Sequence, residues 1–152
     1  MRRHLIAVVI AAGVGLSAQQ ASAVDTIVST DAPDLAVPRA AIKAKDWAAA
    51  IKELEAIADK VNHADVYNLL GFALRKSGDY TRAATFYAKA LDFDPKHKSA
   101  LEYQGEMFVE TKQLEKARAN LAKLEALCPA GCEELDDLKQ AIEKRGTAPK
   151  AP

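Results

Sequence analysis

Residues 64–95 read A-D-V-Y-N-L-L-G-F-A-L-R-K-S-G-D-Y-T-R-A-A-T-F-Y-A-K-A-L-D-F-D-P, and the fold follows from how this stretch is punctuated. Two helices are predicted, over 64–77 and 81–92, joined by Ser77-Gly78-Asp79. Gly78 supplies the left-handed conformation that closes the first helix, and Asp79 caps the second. Asp94-Pro95 ends that second helix, because the residue before a proline avoids the helical region. Gly71 falls in mid-helix, where glycine costs about 1 kcal/mol relative to alanine, so it requires a packing reason.

The unit recurs. Further along the chain, at one constant offset, Gly71 returns as Gly105, Leu74 as Phe108, Ala83 as Ala117, Tyr87 as Leu121 and Pro95 as Pro129. Tyr67 becomes Leu101, whereas Leu70 becomes Gln104, and Lys112-Gln113 replaces the Gly-Asp turn. Upstream, at an offset shorter by one, Asp46-Trp47 matches Asp79-Tyr80, Ala50 matches Ala83 and Leu54 matches Tyr87. Asp46 is the expected cap of a helix over 47–60, and the loop at 61–63 lacks the closing proline. A short helix before it is capped by Asp34 and carries Pro38 in its first turn, where proline is tolerated.

The spacing Tyr67-x2-Leu70-Gly71-x2-Leu74, then Ala83-x3-Tyr87, then Pro95 resembles the tetratricopeptide repeat, a helix–turn–helix unit of about 34 residues. The resemblance covers residues 35–129 and implies an all-α fold, a right-handed stack of antiparallel helix pairs. The domain then spans 35–145, with a degenerate repeat at 35–63 and repeats at 64–97 and 98–131. A capping helix at 132–145, striped by Leu135, Leu138, Ala141 and Ile142, covers the open end that a solenoid must close. The resemblance also gives Gly71 its reason: close approach of the paired helices, with Ala83 as the small partner. A flexible leader at 24–34 and a disordered tail at 146–152 flank the domain.

Residues 1–23 read as a secretory signal peptide. A basic start, Met1-Arg2-Arg3-His4, precedes an uncharged, mostly apolar run from Leu5 to Leu16, and Ala21-Ser22-Ala23 forms an A-x-A cleavage pattern. That run is too short to cross roughly 30 Å of hydrocarbon comfortably, so stable membrane insertion is not expected. Cleavage after Ala23 makes the expected location periplasmic, or secreted. It also removes Arg2 and Arg3 from 21 cations, leaving 19 against 21 acids and a net charge of −2. Such a balance holds no basic excess for nucleic acid and no polybasic run for anionic lipid.

Catalytic and cofactor signals are lacking. The sequence has no Gly-rich phosphate loop, no H-E-x-x-H and no C-x-x-C. His63 and His97 fall in inter-repeat loops and read as exposed loop histidines rather than zinc ligands. No enzyme, no metal and no cofactor is the expectation. In stacked repeats the first helix of each pair lines a concave groove, which by resemblance holds peptides or extended partner segments. Tyr67, Leu70, Gly71 and Leu74 face the paired helix. Rotated away from them, and so candidates for the groove, are Asp65, Asn68, Leu69, Phe72, Arg75 and Lys76, with Glu102, Tyr103, Glu106 and Val109 in the next repeat. Phe72 and Tyr103 supply apolar anchor area at low entropic cost. Family members that grip a C-terminal carboxylate use Lys, Arg and Asn; here only Asn68, Arg75 and Lys76 fit, and the acids opposite argue against that ligand.

Cys128-Pro129-Ala130-Gly131-Cys132 holds the only two cysteines. An even count in an exported chain reads as a disulfide, with Pro129 and Gly131 breaking the helix so that the two side chains meet. A loop this small adds about 2 kcal/mol on the chain-entropy account and fixes the angle of the capping helix. The functional expectation is an exported interaction module, an adaptor or assembly factor holding a protein or peptide segment in its groove. The alternative is a periplasmic metal- or thiol-handling protein using Cys128 and Cys132. Self-association through the incompletely packed first repeat is a further possibility.

Overall fold

In the computed structural model residues 32–146 are described. The expected signal peptide, residues 24–31 of the leader and residues 147–152 of the tail lie outside them. The described residues form seven helices: α1 (Ala36–Lys43), α2 (Trp47–Ala58), α3 (Ala64–Ser77), α4 (Tyr80–Phe93), α5 (Lys98–Glu110), α6 (Leu114–Leu127) and α7 (Glu133–Gly146). They pack as pairs α1/α2, α3/α4 and α5/α6, each pair against the next, and α7 rests on both α5 and α6. The fold is an all-α helical repeat solenoid.

The same turn chemistry closes the first helix of every pair. One residue takes a positive φ: Lys45 at 58°, Gly78 at 92° and Lys112 at 63°. The next N–H donates to a carbonyl of the helix just ended, from Asp46 to Ala41 at 2.9 Å, Asp79 to Leu74 at 2.9 Å and Gln113 to Phe108 at 2.7 Å. This bond marks the Schellman closure, which satisfies helix-end carbonyls that otherwise lack partners. Lysine fills the left-handed position twice although glycine favours it, so the closure is set by the register of the pair rather than by local preference. On the far side of the turn Asp46 and Asp79 accept from Ala49 and Arg82 N–H at 3.0 and 3.1 Å, as N-caps should. Gln113 makes no such cap bond. At α1 the Asp34 carboxylate accepts from Ala36 N–H at 2.9 Å, and Pro38 sits in the first turn, buried.

Gly71 owes its place to Tyr87 rather than to Ala83. A Cβ at Gly71 would stand 2.8 Å from two ring carbons of Tyr87, whose fully buried ring lies against the bare backbone of α3. In the third repeat the matching glycine meets a different element: a Cβ at Gly105 would stand 2.6 Å from both terminal methyls of Leu138 on α7. The last helix is therefore seated by the same device that packs the central pair, and Leu101, Leu124 and Leu138 form a separate small core at that end. Gln104, the weak point of the repeat match, accepts from the buried Asn120 amide at 2.9 Å; the same amide donates to the Leu101 carbonyl at 3.0 Å. A polar pair thus replaces Leu70 and Phe86 of the central repeat.

The contact at Gly71 decides a substitution on which two effects disagree. Helix propensity favours alanine by about 1 kcal/mol, but overpacking a buried ring costs about 1–3 kcal/mol. Gly71→Ala is expected to lower the urea midpoint with no change in slope; an unchanged or raised midpoint would mean that the Tyr87 ring yields freely.

Candidate functional site

The first helices of the pairs, α1, α3 and α5, together with α7, present one face. At its centre the Phe72 ring lies 4.9 Å from that of Tyr103 and 6.1 Å from that of Trp47, centroid to centroid. Beside these rings Arg39, Ile42, Lys43, Leu69, Phe72 and Tyr103 line an open recess of about 260 Å³. Arg39 and Lys43 come from α1, whose short sequence gives no sign of a groove wall. Lys76, exposed, holds its Nζ 5.4 Å from the centre of the Phe72 ring.

Four residues expected on the groove surface are buried instead: Asn68, Arg75, Glu102 and Val109. The cause is that α5 packs against α3 on one side and α7 on the other, which covers the facing sides of α3 and α5. Arg75, only 3% exposed, points across to α5. Its Nη2 donates to Glu106 at 2.6 Å and its Nη1 to Glu110 at 3.2 Å. The guanidinium carbon also lies 5.7 Å from the Phe72 ring centre and 5.9 Å from that of Tyr103. Arg75 is a tie between repeats, not a cation offered to a ligand. Its Nε, the Asn68 Oδ1 and the Tyr87 hydroxyl find no hydrogen-bond partner among the described residues. Burial pushes the Tyr87 hydroxyl up, against the opposing influence of Arg75.

Glu102 is the least ordinary group on this face. It is 7% exposed, and no hydrogen bond or ion pair reaches its carboxylate among the described residues. Burial, then the neighbouring acids Glu106, Asp137 and Glu134, push its pKa up to about 8, with Arg75 acting in the opposite sense. The Tyr103 hydroxyl is raised as well, first by burial and then by Glu102. Leu69, Phe72, Tyr103 and Glu106 remain partly open to the groove.

Asp65 belongs to the inter-repeat edge. His63 and His97 occupy equivalent places and serve as N-caps, accepting from Asp65 N–H and Ala100 N–H, both at 3.2 Å. Because His97 Nδ1 accepts, its Nε2 carries the proton in the neutral ring and donates to Asp65 Oδ1 at 2.8 Å. The histidines are thus structural caps, linked through Asp65, rather than exposed loop residues. Their separation by one full repeat is the sequence signal for this shared role. Cys128 and Cys132 lie at disulfide distance, Cα to Cα 5.8 Å, with Gly131 at φ 92° between them. Among the described residues no group of three or more His, Cys, Asp or Glu is placed to hold a metal ion, and no helix is long and apolar enough to cross a membrane.

Residues 64–97, which carry α3, the Gly71–Tyr87 contact and α4, match the family model of the tetratricopeptide repeat. These residues are a tetratricopeptide repeat. Repeats of this family generally mediate contact between proteins. No curated protein matches the chain.

The Glu102 carboxyl makes stability depend on pH within the tetratricopeptide stack. Its folded pKa, about 8, lies above the ordinary 4.5, so the folded state holds the proton more tightly. Its contribution is fully present below pH 4.5 and is lost as pH rises towards 8. Urea midpoints should therefore fall across that interval, and Glu102→Gln should flatten the fall; an equally steep fall in the variant would place the proton elsewhere.

Proposed function

We propose that this chain is an exported, non-catalytic interaction module that holds a protein segment along the face formed by α1, α3, α5 and α7. It acts as an adaptor or assembly factor in the periplasm or beyond, after cleavage following Ala23. The observation that carries this reading is the Phe72–Tyr103 pair, 4.9 Å apart at the edge of an open recess of about 260 Å³. Two aromatic rings with little rotamer freedom make an anchor site. Cations flank them on one side, from Arg39 and Lys43, and on the other stands Glu106, already paired with Arg75. A segment lying there meets apolar area at its centre and cations at the α1 end.

Export is supported by the basic, apolar and A-x-A order of residues 1–23. Cys128 and Cys132 at disulfide distance suit an oxidising compartment and disfavour the thiol-handling alternative.

A photo-crosslinking residue at Leu69, inside the groove, is expected to give a discrete cross-linked polypeptide in cells. The same residue at Ala122, on the exposed side of α6, should give none. Phe72→Ala combined with Tyr103→Ala should abolish the Leu69 product while the helical circular dichroism stays unchanged. Equal cross-linking from both positions, or a product that survives the double variant, would overturn the groove reading.

A further inference from the structure

The groove's two ends differ in how their charges are partnered. On the α5 side the acids Glu106 and Glu110 are held by Arg75. At the α1 end Arg39 and Lys43, both exposed, line the recess of about 260 Å³. No carboxylate pairs with either of them among the described residues. The acids that bracket α1 are already engaged as caps: Asp34 accepts from Ala36 N–H at 2.9 Å and Asp46 from Ala49 N–H at 3.0 Å. Lys76 adds a third cation from α3, its Nζ 5.4 Å from the centre of the Phe72 ring.

Cations on a helix are ordinarily just solvated, so the recess beside these matters more than their number. Its apolar walls are Ile42 of α1, Leu69 and Phe72 of α3 and Tyr103 of α5. Pockets for whole small molecules run to about 300–1,000 Å³, so a recess of about 260 Å³ suits a single large side chain. The Phe72 and Tyr103 rings are tilted by 48°, which leaves room for a third ring to pack edge-to-face. A second recess, of about 320 Å³ beside Tyr67 and Phe86, makes a useful contrast. There the protein supplies its own cation: Lys89 Nζ lies 5.5 Å from the Tyr67 ring centre and 5.2 Å from that of Phe86. Glu55 and Asp59 line the same recess, so both signs of charge are present. The charged residues lining the groove recess are of one sign, and the missing sign is negative.

We infer that this recess takes one aromatic or large aliphatic side chain of an acidic partner segment, whose side-chain carboxylates pair with Arg39 and Lys43. This assignment rests on the groove reading and gives the held segment its chemistry. Arg39 and Lys43 stand one turn apart on α1, which puts their stems about 5–6 Å from each other. Alternate residues of an extended segment are roughly 6.6 Å apart and point to the same side. Acids on either side of the apolar residue therefore reach α1 together, while the apolar residue turns the other way, onto Phe72 and Tyr103. The pairing uses two separated carboxylates of side chains, not the single carboxylate of a chain end.

The probe is the peptide acetyl-Gly-Glu-Phe-Glu-Gly-amide, blocked at both ends and titrated into the full chain. Trp47, the only tryptophan, has its ring 6.1 Å from that of Phe72 and reports on the recess by fluorescence. A saturable change is expected, weakening as salt is added because the ion pairs are exposed. Replacing both glutamates of the peptide by glutamine should weaken binding about tenfold, the size expected of two exposed ion pairs. Replacing its phenylalanine by alanine should remove saturation. Arg39→Glu combined with Lys43→Glu, both at exposed positions, should reverse the preference in favour of acetyl-Gly-Lys-Phe-Lys-Gly-amide while the circular dichroism stays unchanged. In the unsubstituted protein, no saturation, equal affinity for the glutamine or lysine peptide, or binding only when the peptide ends in a free carboxylate would each overturn the assignment. A Trp47 change on raising the protein concentration alone would also overturn it, by giving the recess to a second copy. Any of these results beside a specific cross-link at Leu69 would reject the acidic segment and leave the groove reading standing.

Discussion

Arg75 is a guanidinium taken almost wholly out of water in the middle of a small stack. Removing such a charge from solvent costs several kcal/mol, roughly offset only when close anions and further contacts surround it. Here Glu106 at 2.6 Å and Glu110 at 3.2 Å supply the anions, while Phe72 and Tyr103 offer ring faces on the same side. The requirement dictates much around it. It holds α3 and α5 side by side, and it sets the two rings next to each other as the floor of the groove. By engaging Glu106 and Glu110, it also leaves Glu102 without a cation. The contrast between the groove's ends thus follows from the placement of one buried charge.

Backbone closeness is the second constraint. Tyr87 lies against Gly71 and Leu138 against Gly105, so a helix without a side chain at one position receives a bulky apolar group from its neighbour. The first contact is inside a repeat, and the second joins the last repeat to α7. Seating α7 in this way closes the core at the end of the last repeat. The paired cysteines stand at the entry to α7, where Pro129 and Gly131 already turn the chain.

The sequence is most informative where geometry depends on spacing. The repeat period, the Asp46 and Asp79 caps and the Gly78 turn each have a local chemical reason, and each can be read without coordinates. Lys45 and Lys112 in left-handed conformations cannot, because nothing local favours lysine there; the register of the packed pair imposes it. The partner of Gly71 is easily misjudged because a small residue opposite a glycine is the obvious choice, whereas a flat ring fills the same gap. Arg75, Asn68 and Glu102 read as surface residues because polar residues on the outward side of an amphipathic helix are usually solvated. A signal is nevertheless present. Glu106 and Glu110 lie three before and one after Val109, the repeat equivalent of Arg75, where a side chain crossing to the next first helix would arrive. The two histidine caps are hidden for another reason: histidine is an uncommon cap, and only the shared offset links them.

The most direct test of this account is a double-mutant cycle on the tie between repeats, with Arg75→Met and Glu106→Gln read by urea denaturation. With Arg75 present, Glu106→Gln leaves a buried guanidinium short of its closest anion. In the Arg75→Met background, the same change removes only a partly exposed carboxylate. The account predicts a coupling energy of about 1–3 kcal/mol, as found for residues in one buried network. A Glu106→Gln cost that is the same in both backgrounds would contradict it.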